Sequence, residues 1–180
     1  MNSKEHLTMY QRAKSGIACI LISAIFLFQS CGAYTFSGAS IPEEMKTVSV
    51  QFFENNAMLV VPYLSSQFTE ALKERIRNQS RLSIERGEAH ANFEGRITDY
   101  TVRPVAIQGN ERAGLTRITV TVNVKYTNAL KPELSFEEPF SASQEFSLNQ
   151  GPLEAQQQKL ITVINRQLSE LIFNRAFANW

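Results

Sequence analysis

The amino-acid sequence predicts an α+β two-layer sandwich, with two helices packed on one face of a mostly antiparallel four-stranded sheet in the order β-α-β-β-β-α. Segments whose apolar residues alternate with polar ones indicate half-buried strands. Two segments with apolar residues three and four positions apart indicate amphipathic helices. The chain of 180 residues, 43% hydrophobic and with 12 Phe, is sufficient for one core of this kind.

The first 30 residues have the pattern of an export signal. Basic residues precede an apolar run over residues 17–28, IACILISAIFLF. This run is shorter than the roughly 20 residues that span a bilayer, and it is followed by small residues, as in a secretory signal peptide. Cys31, directly after Ser30, resembles the modified residue of bacterial lipoprotein signals. That resemblance implies a thioether-linked diacylglycerol, acyl chains such as palmitate, and Cys31 as the first mature residue.

We therefore predict a lipoprotein signal peptide at residues 1–30, a lipidated linker at 31–46 and a single domain at 47–180. Removing the signal takes away three of the 18 basic and one of the 17 acidic residues, which changes the net charge from +1 to −1. It also removes Cys19, so the mature chain has no second cysteine for an internal disulfide. The lipid is the only membrane anchor that the sequence offers.

The first half of the domain is predicted to contain a strand, a helix and a second strand. Apolar and polar residues alternate over residues 47–53, which predicts a strand with Phe52 on its buried face, and turn-forming residues follow at 54–56. Pro62 suits the first turn of a helix, and the apolar periodicity extends this helix to about Asn78. A further short strand is expected near residues 82–84.

A longer strand is predicted over residues 91–102, and its apolar pattern slips by one position near Asp99, which indicates a β-bulge. The following segment, residues 104–115, is long for a hairpin connection, and long loops are often functional. Three arginines lie in or beside this loop: Arg103, Arg112 and Arg117. Because guanidinium groups bind phosphates and carboxylates in pairs of hydrogen bonds, we predict that these arginines bind an anionic glycolipid headgroup.

Residues 117–127 form the clearest strand, with five apolar residues on one face. The opposite face is predicted to face water or a partner and presents Thr119, Thr121, Asn123 and Lys125. A last strand is expected over residues 134–148, and the proline within it, Pro139, favours an edge position. Gly151–Pro152 then opens a long helix with a wide apolar stripe.

The composition excludes several functional classes. A net charge of +1 is too small for a protein whose main task is binding nucleic acid. Two His and two Cys in the whole chain provide little material for a metal site or a Cys–His nucleophile, and no phosphate-binding glycine loop or nucleophile elbow occurs. We therefore predict no catalytic residues, no metal site and no cofactor, and interpret the protein as a non-enzymatic binding protein.

Several segments together resemble the LptE family of outer-membrane lipoproteins in its Bacteroidetes form. The segments that carry the resemblance are the lipidation site with GAYTFSG at 32–38, SIP at 40–42, KTVSVQFFEN at 46–55, LSSQFTEALK at 64–73, FEGRITDY at 93–100, PVA at 104–106, RITVTVNVKYTN at 117–128, IFNRAF at 172–177 and Trp180. They extend over nearly the whole mature chain.

The resemblance implies two helices against a four-stranded sheet and a lipid-anchored, periplasm-facing protein of the outer membrane. It implies a role as a plug in the lumen of the LptD-like β-barrel that assembles lipopolysaccharide in the outer leaflet, with the barrel and lipopolysaccharide as partners. In that setting Thr119, Thr121, Asn123 and Lys125 face the barrel. Similarity of the segments at 47–100 to LpoB- or CsgG-like periplasmic lipoproteins leaves a cell-wall synthase activator or a secretion component as an alternative. A lipid carrier with an enclosed cavity is a third possibility.

Overall fold

The structure is a computed structural model that describes residues 41–105 and 115–178. It confirms the α+β class, with two helices packed against one open sheet. The elements in chain order are β1 (Thr47–Val50), β2 (Glu54–Asn55), α1 (Leu64–Gln79), β3 (Ser83–Glu85), β4 (Ala91–Pro104), β5 (Leu115–Asn128), β6 (Phe136–Ser147) and α2 (Leu153–Phe177). Short 3₁₀ turns precede and follow β6. No helix in the described ranges is long and apolar enough to cross a membrane.

The sheet is mixed and has six strands where the predicted order had four; of the two additional strands, β3 corresponds to the short strand expected near residues 82–84. Its order is β3-β1-β4-β5-β6, and β2 pairs with β4. The long strands β4, β5 and β6 form an antiparallel meander, whereas β1 and β2 pair with their neighbours in parallel. The prediction of four mostly antiparallel strands was wrong in this detail, because α1 is a crossover connection that returns the chain parallel to β1. The bulge near Asp99 is confirmed by a register shift between Ile97 and Asp99.

The start of the sheet contains an irregularity that the sequence pattern did not reveal. Val50 pairs with Phe93, and Glu54 pairs with Arg96. The segment from Val50 to Glu54 therefore contains one residue more than the segment of β4 that it faces. The extra residue reverses the alternation. Phe52, expected inside, is 60% exposed, and Phe53 is fully buried against Phe68, with ring centroids 5.0 Å apart.

The two helices cover the same face of the sheet and run in the same direction. Tyr63, just before α1, donates a hydrogen bond to Gln157 in the second turn of α2 (3.2 Å), and Arg75 near the end of α1 contacts Glu170 late in α2 (3.3 Å). Near the end of α2, Phe177 packs edge-on against aromatic rings from β4 and β5. The core therefore lies between the helices and the buried side of the meander.

The domain has two distinct ends along the strands. Residues 41–46 lie at the end of the domain where β1 begins. The β5–β6 turn lies at the same end, because Val48 pairs with Ala91 and Ala91 pairs with Asn128. The β2–α1 loop, the end of β4 and the start of α2 lie at the other end. From Ala91 to Arg103 the strand extends about 40 Å at ~3.3 Å per residue.

Candidate functional site

The uncovered side of the β4–β5–β6 meander is a polar surface, which we call the polar face. It consists of every second side chain of each strand outside the bulge: Glu94, Arg96, Asp99, Thr101 and Arg103 on β4, Arg117, Thr119, Thr121, Asn123 and Lys125 on β5, and Glu137, Pro139, Ser141, Ser143 and Glu145 on β6. The structure therefore brings together the four β5 residues that the sequence assigned to a partner-facing surface. They alternate with Ile118, Val120 and Val122, which are fully buried.

Hydrogen bonds between neighbouring strands order the centre of the polar face. The hydroxyl oxygens of Thr121 and Ser141 lie 2.8 Å apart, and the amide nitrogen of Asn123 donates to Glu137 Oε1 at 3.0 Å. Lys125 Nζ lies 2.7 Å from Glu94 Oε1. This hydrogen bond raises the pKa of Lys125 above its ordinary value, so the ammonium group stays charged.

The polar face has balanced charge. Its four cationic side chains (Arg96, Arg103, Arg117, Lys125) are matched by four acidic ones (Glu94, Asp99, Glu137, Glu145). Balanced charge with many hydroxyl and amide groups suits a wet polar contact and provides no strong cationic field for nucleic acid.

The described arginines of the predicted anion site meet at one end of this face. Arg103 and Arg117 are directly paired across β4 and β5. They border an open groove of about 410 Å³, which is also lined by Asp99, Thr101, Pro104, Val105 and Thr119. Arg112 lies outside the described residues.

Arg117 is not an isolated cation. Its guanidinium Nη2 and Nε lie 2.6 and 3.2 Å from Glu145 Oε1 on β6. Both side chains are about half exposed, so this ion pair contributes less than about 1 kcal/mol, and an anion can displace the carboxylate. Arg103 is exposed and forms no ion pair with any described residue. Within the described ranges it is thus the one of the two that has no carboxylate partner.

Cys31, the predicted lipidation site, also lies outside the described residues. Within the described ranges no group of three or more His, Cys, Asp or Glu side chains is placed to hold a metal ion. His90 has a structural contact, because its Nδ1 accepts a hydrogen bond from the backbone N–H of Lys46 at 3.1 Å.

One exposed feature was missed at the sequence level. Met58, Leu59 and Val60, in the loop between β2 and α1, are 97%, 55% and 64% exposed. The available signal was the absence of any charged residue between Glu54 and Glu70. Charge-free aliphatic runs of this length are normally buried, so the sequence alone does not distinguish this loop from core.

In the described chain one face of the sheet is buried under helices and the other is polar and open, which leaves a broad surface accessible to a partner. The chain belongs to the LptE family, described as lipopolysaccharide-assembly, which it matches over residues 45–176. This is a family of non-enzymatic lipoproteins, and the match assigns the chain a role in lipopolysaccharide assembly. Of the families that the sequence resembles, it favours LptE over the LpoB- and CsgG-like alternatives.

Several solved structures are similar to this chain at low sequence identity. A hypothetical protein from Chlamydia trachomatis is 12% identical, with a TM-score of 0.52 over 75% of this chain and 99% of that one. A minor lipoprotein from Acinetobacter baumannii is 14% identical, with a TM-score of 0.49 over 73% and 92%. The rare lipoprotein B from Shewanella oneidensis is 10% identical, with a TM-score of 0.45 over 72% and 92%. No curated protein sequence matches the chain.

Proposed function

We propose that this protein is a lipid-anchored plug for the outer-membrane β-barrel that assembles lipopolysaccharide, with the polar face directed at the inner wall of the barrel. The observation that carries the proposal is the open polar face itself. Three strands of 12 to 14 residues have one side buried and the other side without a covering element in the described chain. The lumen of an outer-membrane barrel is polar, so it suits a surface of hydroxyls, amides and balanced charges.

The edge of the meander supports the same arrangement. β6 is the outermost strand, and Pro139, its fourth residue, lacks a backbone N–H group. A strand interrupted in this way is a poor template for pairing with another strand. The domain therefore fits a lumen through its side chains, without merging its sheet with the wall.

The first prediction tests the orientation of the plug. A photo-crosslinking amino acid at Asn123, in the centre of the polar face, is expected to give a covalent adduct with one large outer-membrane β-barrel in intact cells. The adduct is identified by mass spectrometry. The matched position is Glu74, exposed on the helical layer. An adduct from Glu74 but none from Asn123 would reverse the orientation, and adducts with a cell-wall synthase would select the alternative function.

The second prediction concerns the anchor. Replacing Cys31 by alanine removes the thiol that accepts the lipid, and this domain has no described membrane-spanning helix. We expect the Cys31→Ala protein to lose its acyl groups in intact-mass spectrometry and to be retained in the membrane fraction only through the barrel. Cys19→Ala is the matched control, because Cys19 lies within the predicted signal and should change neither result. A Cys31→Ala protein that is still acylated would contradict lipidation at this position.

The third prediction concerns the arginines of the groove. Each exposed arginine–phosphate pair contributes less than about 1 kcal/mol, so only a joint change produces a clear effect. The triple substitution Arg103→Ala, Arg112→Ala and Arg117→Ala is expected to weaken lipopolysaccharide binding roughly tenfold at low salt and less at high salt, because salt already screens the pairs in the unchanged protein. Titration at two ionic strengths measures both effects.

The control for this titration removes the same charge elsewhere. Arg77, Arg81 and Arg86 are exposed residues around the end of α1 and β3. Their triple alanine variant should bind lipopolysaccharide as the unchanged protein does. Equal weakening in both triple variants would show that only total charge matters, and no weakening in the groove variant would show that its arginines are merely solvated.

A further inference from the structure

The loop between β2 and α1 presents three consecutive aliphatic side chains to solvent. We call residues Met58–Val60 the aliphatic tip. Met58 is 97% exposed, and Leu59 and Val60 are more than half exposed. The residues on either side, Ala57 and Val61, are 4% and 6% exposed, so the structure holds the loop at both ends while its middle projects. Contiguous exposed apolar groups of this kind mark a binding surface.

The aliphatic tip has the character of a lipid contact. No charged residue occurs from Asn55 to Thr69. Its three side chains are all exposed, without the alternation of buried and exposed residues that a strand or helix edge would show. A projecting aliphatic segment without charged residues is suited to burial among acyl chains.

The position of the tip relates it to the arginine groove. β2 runs parallel to β4 and pairs with Arg96 and Ile97, so the loop continues towards the end of the domain that carries Arg103 and Arg117. The loop is fixed at the level of Tyr100, because Gln157 bonds to both Tyr63 and Tyr100. Tyr100 precedes Arg103 by three residues, about 10 Å along the strand, but its buried side chain faces the helices, whereas Arg103 lies on the polar face.

We propose that the aliphatic tip binds the acyl chains of lipopolysaccharide whose anionic groups are held at the groove of Arg103 and Arg117. The inference rests on the proposed function and adds an apolar contact at the same end of the domain as the groove. The combination of aliphatic and cationic groups at one end matches a molecule with acyl chains and phosphates. A phospholipid leaflet is the less suitable occupant, since residues 41–46, which follow the proposed anchor, enter at the opposite end of the domain, about 40 Å away.

The test uses the purified full-length protein and two probes, lipopolysaccharide and its deacylated form, which keeps the sugars and phosphates. The variant is Met58→Ser, Leu59→Ser and Val60→Ser. The control is Leu130→Ser with Leu134→Ser, two 41% exposed leucines in the β5–β6 turn. We expect the tip variant to bind lipopolysaccharide about tenfold more weakly, with unchanged binding of the deacylated probe and no change in the control.

Three results would overturn the inference. One is equal binding of lipopolysaccharide by the tip variant and the unchanged protein. Another is an equal loss of affinity of the tip variant for the deacylated probe. The last is binding of phosphatidylglycerol vesicles as tight as that of lipopolysaccharide, which would assign the tip to a bilayer surface.

Co-purification of the barrel separates the two proposals. A tip variant that loses the barrel but keeps lipopolysaccharide assigns the tip to a protein contact, whereas an unchanged protein that brings down no barrel contradicts the plug.

Discussion

Replacing Gly95 by alanine is expected to destabilise the domain by about 3 kcal/mol or more, a large part of the usual 5–15 kcal/mol. A Cβ atom on Gly95 would collide with the backbone oxygen of Asn123 and would lie 2.8 Å from Phe53 Cε1. The ring of Phe53 is fully buried, and moving the Asn123 carbonyl would disturb the pairing of β4 with β5. Neither neighbour can yield without loss of packing or hydrogen bonds.

Urea unfolding measures this effect, with Gly87→Ala as the matched control. Gly87 has a φ of +90°, and a Cβ atom there would meet nothing within 4 Å. The control therefore has the conformational cost of alanine at positive φ, about 1–2 kcal/mol, but no collision. If Gly95→Ala unfolds at the same urea concentration as Gly87→Ala or later, the close approach at Gly95 is not a constraint on this fold.

Replacing Phe177 by alanine is expected to reduce the free energy of unfolding by about 3–5 kcal/mol. Its side chain is 4% exposed. Its ring centroid is 5.8 Å from Phe93 and from Tyr126, and 5.1 Å from Phe173, each in an edge-on arrangement. The substitution removes these contacts and leaves a cavity at the junction of α2 with the sheet.

The control for this prediction is Leu171→Ala on the same helix. Leu171 is 46% exposed, so its truncation should cost less than about 1 kcal/mol. Both variants keep the helix, since alanine is the best helix former. Similar unfolding midpoints for the two variants would mean that the end of α2 does not pack on the meander as described.

The elements with a local signal could be predicted from the sequence. The five alternating apolar residues of β5 and the apolar stripe of α2 depend on spacing within one segment, and the structure places them as expected. The slip near Asp99 and the edge position of the strand with Pro139 are confirmed for the same reason. Leu171 is an exception, because a residue at the margin of a wide stripe can remain exposed.

The first strand could not be predicted correctly, because its pattern depends on a distant partner. Phe52 and Phe53 are both aromatic, and alternation from Val48 and Val50 selects Phe52 as the buried one. The extra residue opposite β4 reverses this choice, and Gly95, more than 40 residues further on, leaves the space that Phe53 occupies. Short parallel strands such as β2 have no sequence pattern of their own.

The candidate site was predictable only in part. Alternation along β5 was sufficient to place Thr119, Thr121, Asn123 and Lys125 on one face. The partner of Arg117 was not predictable, because Glu145 lies 28 residues away and reaches it only through the β5–β6 register. The sequence suggested three equivalent arginines, whereas the described structure distinguishes an exposed Arg103 from an ion-paired Arg117.

The parallel helices also give the domain an electrical polarity along its strands. Peptide dipoles add along each helix to about half a positive charge at its N-terminus and half a negative charge at its C-terminus. Neither α1 nor α2 has a side-chain cap at its N-terminus, and Arg77 and Arg175 lie in the last turns. Both positive ends therefore lie at the end of the domain that carries Arg103 and Arg117. The peptide dipoles add positive potential at this end, partly offset at α2 by Glu154 in its first turn, and alanine substitution of the arginines leaves that contribution in place.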